Sequence, residues 1–121
     1  MIKTFEQSHA WQQSQDLAVA IYMYTKQFPD DERFGITSQM RRAVSSISAN
    51  IAEGFGRRAK NDKKHFYTIA YGSLLETKNF AYLSCKLGYI TEHQLNEILT
   101  SVEDIQKLIN GLIRSMSPDE N

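Results

Sequence analysis

Residues 36–64 read ITSQMRRAVSSISANIAEGFGRRAKNDKK, and the fold turns on how this stretch is parsed. Met40, Val44, Ile47, Ile51 and Phe55 recur at intervals of four and three, which puts them on one face of an amphipathic helix. The spacing predicts a helix over 37–55. Thr37 or Ser38 is the expected N-cap, because a hydroxyl there accepts from an unpaired first-turn N–H. Gly54 and Gly56 bracket Phe55 and suit a left-handed C-terminal cap. The positions beside the stripe are small (Ala43, Ser45, Ser46, Ser48, Ala49, Ala52), so neighbouring helices can approach closely and this helix is expected at the centre.

Outward from it, three more helical patterns are visible. Residues 1–7 read as a short lead-in. A first helix runs over about 8–27, capped by Ser8, with the stripe Trp11, Ser14, Ala18, Ile21, Thr25 and Phe28. Its section 17–24, LAVAIYMY, is apolar all round, which means burial on more than one side. The readings are a subunit interface, with Leu17, Ala20 and Tyr24 joined by Tyr67 and Tyr71 of the third helix, or else a misplaced helix boundary or a crowded core. Pro29, three acids and Gly35 form the first connection. A third helix is expected over 62–87, capped by Asn61 or Asp62. Its seam of Phe66, Ala70, Ser73, Thr77, Phe80, Ser84 and Leu87 keeps a 4-3 alternation. Gly88 ends it. Thr91 and Gln94 make a capping box for a fourth helix over 91–116, striped by Leu95, Ile98, Val102, Ile105, Ile109, Leu112 and Met116. Residues 117–121 form a polar tail that is expected to fray. The reading is all-α: one antiparallel up-down-up-down four-helix bundle over residues 1–121, since short connections make sequential helices neighbours.

The wording TSQMRRAVSSISANIAEGFGR resembles the four-helix bundle family of 23S rRNA-intervening-sequence proteins. Trp11-Gln12, Ile21-Tyr22, Phe28-Pro29, the segment AYGSLLE at 70–76 and LGYI at 87–90 extend the resemblance over about 9–113. It implies a small up-and-down bundle that assembles into a homopentamer. Members are encoded within insertions in bacterial 23S rRNA genes, and elsewhere. A related group, the accessory proteins of diversity-generating retroelements, uses a basic surface to bind nucleic acid and a reverse transcriptase.

A chain of 121 residues buries a core without metals or disulfides. Formal net charge is zero, which argues against a generic nucleic-acid binder. The neutrality hides an asymmetry: residues 41–64 hold seven Lys and Arg against Glu53 and Asp62, a surplus of +5 that the rest of the chain balances. The single cysteine, Cys85, suits a reducing compartment. No charged-then-apolar leader opens the chain, and the apolar run 17–24 falls far short of the roughly 20 residues of a membrane span. The expected location is the cytoplasm.

Chemistry-bearing groups are few. Glu6 and His9, and Asp62 and His65, have the spacing of a di-iron bundle motif, but both pairs sit at helix starts and the inward stripes carry no carboxylate pair. No metal or other cofactor and no small-molecule substrate is therefore expected. Cys85 has no histidine one turn away and reads as a structural thiol. No catalytic constellation emerges, and the chain is expected not to be an enzyme. Asn50 and Glu53 read as structural polar links, Asn50 towards Ser73 or Thr77 and Glu53 towards Arg57 or a neighbouring helix. The candidate binding residues are basic: Arg41 and Arg42 near the start of the central helix, and Arg57, Arg58, Lys60, Lys63 and Lys64 about 25 Å away at its other end. In a ring of subunits these patches repeat and offer phosphates a multivalent surface. Arg41 or Arg42 pairing with the acids at 30–32 is the plainer alternative. The expected partners are further copies of the chain, and RNA, DNA or a nucleic-acid enzyme. The second reading is a protein-interaction scaffold that binds no nucleic acid.

Overall fold

The central helix is α2, Ile36–Gly56, and its stripe is the core of the molecule: Met40, Val44, Ile47 and Ile51 are all buried. The computed structural model describes residues 2–117, and residues 118–121, most of the expected polar tail, lie outside it. α1 (His9–Thr25), α3 (Lys60–Lys86) and α4 (Glu92–Ser115) complete a four-helix bundle. α2 packs most extensively against α3 and then α1, α3 packs on α4, and α4 closes on α1; among the described residues the backbones of the diagonal pairs stay further apart. Short connections thus make sequential helices neighbours, in the up-down-up-down order that the patterning predicts.

Each inward face follows its periodicity. Ser14, Leu17, Ile21 and Thr25 of α1, Ala70, Leu74, Thr77 and Ala81 of α3, and Ile98, Val102, Ile105 and Ile109 of α4 meet the α2 stripe. The hydroxyls of the α3 seam are paired: Ser73 and Ser84 donate across to Ser46 Oγ and Met40 Sδ of α2, and Thr77 bonds within its own helix. Buried Ser14, Thr25 and Thr77 donate to the carbonyls of Ala10, Ile21 and Ser73, four residues back, at 2.6, 2.8 and 2.9 Å. Burying a hydroxyl is tolerable once it is so paired. Leu87, placed on the seam by the pattern, is exposed instead, because α3 ends at Lys86.

The caps divide. Ser8 accepts from the Trp11 N–H, and Thr91 and Gln94 form the expected capping box. Gly88 alone among the described residues has a left-handed φ, +79°, and ends α3 as expected. Three expectations need correction. α2 starts one residue early: Gly35 is at its cap, and Thr37 lies inside the first turn, its Oγ1 buried without a partner. α3 starts at Lys60 with Ala59 at the cap, which leaves Asn61 and Asp62 exposed in the first turn. Neither Gly54 nor Gly56 is left-handed: both are helical, and the chain leaves α2 through extended Arg57. Gly54 serves packing. A Cβ there would lie 2.8 Å from Cε1 of Tyr67 and 3.1 Å from Cβ of Phe66, so α2 and α3 reach this separation only over glycine. The lead-in is also more ordered than expected, with a 3₁₀ turn at Phe5–Gln7 that sets the Phe5 ring edge-on to Trp11 at 5.2 Å.

Candidate nucleic-acid interface and helix faces

The antiparallel order gathers the end of α2, the start of α3 and the end of α4 at one end of the bundle. A recess lined by Ala59, Lys60, Asn61 and Met116 marks where the last two meet. Five of the seven predicted basic residues collect here, but they do two different jobs. Arg57 pairs with Glu53 at 3.2 Å, one helical turn back, and its guanidinium lies 4.6 Å from the Phe66 ring centroid. Lys63 reaches back to the end of α2, where its Nζ donates to the carbonyl oxygens of Phe55 at 2.8 Å and Gly54 at 3.4 Å. The Gly54 carbonyl also accepts from the Arg57 N–H at 3.2 Å, and a cation suits the negative end of the helix dipole. Arg58, Lys60 and Lys64 are exposed and, among the described residues, make no ion pair. Of the predicted cations at this end, these three are not engaged by the protein itself among the described residues.

The other two cations lie at the opposite end. Arg41 is turned inward: its Nε donates to Thr25 Oγ1 at 2.8 Å, Nη2 to the Tyr22 carbonyl at 3.4 Å, and the guanidinium lies 4.7 Å from the Tyr22 ring centroid. It ties the end of α1 to α2. Neither Arg41 nor Arg42 pairs with the acids at 30–32, and Arg42 is exposed. Those acids, with Glu92 and Glu97, share this end with Lys26, Arg33, Arg41, Arg42 and Lys86, so its charges balance. Glu32 accepts from the Tyr89 hydroxyl at 2.8 Å and Glu97 from Tyr24 at 2.6 Å. Both tyrosines are held up from their ordinary pKa, chiefly by these carboxylate hydrogen bonds, Tyr24 to about 12. The same bond lowers Glu97.

The predicted interface residues are divided between core and surface. Leu17 and Tyr67 belong to the subunit's own interior, and burial raises the Tyr67 pKa. Tyr71 is half-buried and its hydroxyl accepts from Gln106 at 3.0 Å. Ala20 and Tyr24 are half-buried beside α4, in a groove shared with Glu97, Ile98 and Ser101. The apolar side chains that do face outward on α1 are chiefly Val19 (63 % exposed) and Met23 (57 %), with Tyr22 beside them under the Arg41 guanidinium. They lie in the section the sequence marks as apolar all round, though its pattern does not say which members point away. α3 has its own outward apolar residues: Ile69, Leu75, Tyr82 and Leu83.

The remaining polar residues have structural partners. Asn50 donates to the Ser46 carbonyl at 2.8 Å and to its Oγ at 2.9 Å, and Ser73 of α3 donates to that same Oγ at 2.9 Å. The expected link from Asn50 to Ser73 thus runs through Ser46, while Thr77 bonds within its own helix. Glu53 pairs with Arg57, one of its two expected partners. Glu6, His9, Asp62 and His65 are exposed, and no three His, Cys, Asp or Glu side chains converge among the described residues. Cys85 is half-buried. The widest groove, about 530 Å³ between α3 and α4, is lined by Lys78, Tyr82, Glu103, Gln106 and Lys107 among others, and is open to solvent. No helix among the described residues is long and apolar enough to cross a membrane.

A family model, 23S rRNA-intervening sequence protein, matches residues 6–111. The chain belongs to this family. A crystal structure from Bacteroides thetaiotaomicron VPI-5482, described as a protein with unknown function from the S23 ribosomal protein family, superposes with a TM-score of 0.79. It is 27 % identical, and the match covers 87 % of this chain and 98 % of that one. A search of curated proteins gives no match. The family match spans all four helices, so the resemblance seen in α2 extends through the bundle.

Proposed function

We propose that this family member works as a ring-shaped homo-oligomer without catalysis of its own, and that the end where α2 turns into α3 holds the phosphate backbone of RNA or DNA. The observation that carries the nucleic-acid reading is the division of labour among the cations: Arg57 and Lys63 hold the turn together, which leaves Arg58, Lys60 and Lys64 exposed and, among the described residues, without an ion pair. Cations that neutralise phosphates bind with strong salt dependence and little sequence preference.

The oligomer rests on a second observation. Val19 and Met23 on α1, and Ile69, Leu75, Tyr82 and Leu83 on α3, are outward apolar residues on diagonal helices. Two unlike faces on opposite sides favour head-to-tail association, which closes into a ring when the rotation permits. Five subunits is the number the family resemblance implies. A ring repeats Arg58, Lys60 and Lys64 once per subunit. The single thiol of Cys85 fits a cytoplasmic setting.

A scaffold that binds proteins alone is the second reading, favoured by zero net charge and by the internal engagement of Arg41, Arg57 and Lys63. Light scattering followed by fluorescence anisotropy on the same sample, with a labelled structured RNA at low salt, tests both halves. An oligomeric mass with saturable binding supports the proposal. A monomeric mass at micromolar concentration contradicts the ring, and an oligomer that leaves the RNA free favours the scaffold.

A further inference from the structure

At the opposite end, where α1 gives way to α2, the surface carries an open recess of about 150 Å³. We propose that it is a site for a phosphate group.

Four features meet there. Lys26, Arg33 and Arg41 line the recess, against one carboxylate, Asp30, which makes no ion pair among the described residues. Of the other acids in the connection, Asp31 is exposed, and Glu32 accepts from Tyr89 through one carboxylate oxygen while the other lies against Gly35 at the start of α2. The first turn of α2 opens beside them without a side-chain cap, because Gly35 has none to offer. Thr37 of that turn lines the recess, is only 9 % exposed, and has a buried hydroxyl with no hydrogen-bond partner.

A buried hydroxyl without a partner costs free energy that a native structure normally recovers. An anion would recover it here. It would accept from the Thr37 hydroxyl and from first-turn N–H groups, whose dipole favours negative charge. Arg41 is preorganised for the task. Thr25 and the Tyr22 carbonyl take two of its five N–H donors and fix the plane of the guanidinium, which leaves three for a ligand. Arg33 supplies a second guanidinium at the rim, beside Phe34, whose ring is 85 % exposed with the Arg33 guanidinium 5.4 Å from its centroid. A phosphate matches this donor set, since guanidinium groups pair with its oxygens two at a time. The site lies at the other end of the bundle from Arg58, Lys60 and Lys64, so it stands or falls apart from the nucleic-acid reading.

The test is an amide NMR titration of the whole chain with inorganic phosphate, chloride being exchanged to hold ionic strength constant. The expected result is saturable shifts at Thr37, Ser38 and Arg33. Thr37→Val keeps the shape and removes the hydroxyl, and Arg33→Gln removes one exposed cation. Each is expected to weaken the affinity about tenfold, as losing a hydrogen bond to a charged group does. Adenosine monophosphate is the second probe. Equal affinity identifies the phosphate alone as the ligand; tighter binding that Phe34→Ala abolishes identifies a nucleotide stacked on that ring. Shifts that stay linear to about 50 mM phosphate, far above a millimolar Kd, overturn the proposal, as do saturable shifts unchanged in both variants.

Discussion

At position 54 a single methyl group has nowhere to go. The Tyr67 ring that would meet it is itself buried, and the Phe66 Cβ beside it is tied to the α3 backbone. Gly54→Ala gains about 1 kcal/mol of helix propensity but overpacks the contact, for a net loss of about 1–2 kcal/mol in chemical denaturation. Ile51→Ala, at the centre of the core stripe, loses about 2–5 kcal/mol; an unchanged denaturation midpoint would mean the stripe faces elsewhere. Tyr24 and Glu97 make a pH-dependent link between α1 and α4. Tyr24 is raised from 10.0 to about 12, so its contribution is complete below pH 10 and is lost as pH climbs towards 12. Glu97 is lowered, so its contribution is complete above 4.5 and is lost as pH falls through the lowered value. Ultraviolet titration of tyrosinate should show one late-titrating group disappear in Tyr24→Phe and move back towards 10 in Glu97→Ala. An identical alkaline titration curve in both variants would contradict the link. At this scale the sequence is a poor guide to the site. Which cations are free depends on carbonyls and rings far along the chain: Arg41 reaches residues sixteen and nineteen positions away, and Lys63 reaches eight and nine. No local pattern encodes those contacts.

Helices and their order were legible because burial imposes a period. A residue on the wrong face of α2 or α4 would put apolar surface in water, and the stripes Met40-Val44-Ile47-Ile51 and Ile98-Val102-Ile105-Ile109 leave no second register. Helix ends were less legible, since several polar residues near each boundary can serve as caps and tertiary packing selects among them. Where a box of two residues agreed, as at Thr91 and Gln94, the boundary was found; where single candidates competed, as at Thr37, Ser38, Asn61 and Asp62, packing overrode them. The connection of three residues between α2 and α3 places Ala59 at the α3 cap in extended geometry (φ −81°, ψ 139°) with no side chain to accept. Ala59→Ser supplies the missing acceptor and is expected to raise stability by about 0.5–2 kcal/mol, read as a higher denaturant midpoint. No gain would mean that the first-turn N–H groups are already satisfied by other means.

Viewed whole, the bundle is neutral but uneven, with its surplus of cations where α2 meets α3. Besides Ile2, Phe34 and Leu87 outside the helices, its outward apolar residues lie on α1 and α3, at diagonal corners. If those faces join copies, Val19→Asp with Met23→Asp lowers the mass seen by light scattering while leaving the helical circular dichroism intact, because both side chains point away from the core. A mass unchanged by the pair would put the contact elsewhere. The central functional claim is that Arg58, Lys60 and Lys64 are free to neutralise phosphates, and the slope of log affinity against log salt measures this most directly. With Arg58, Lys60 and Lys64 all changed to Gln, RNA binding should weaken across unrelated sequences and the slope should flatten, since each lost phosphate contact removes about 0.7–0.9 from it. Stability should hold within about 1 kcal/mol, because exposed charges contribute little. A wild-type protein that binds no RNA at about 50 mM salt, or a triple variant that keeps both affinity and slope, would contradict the claim.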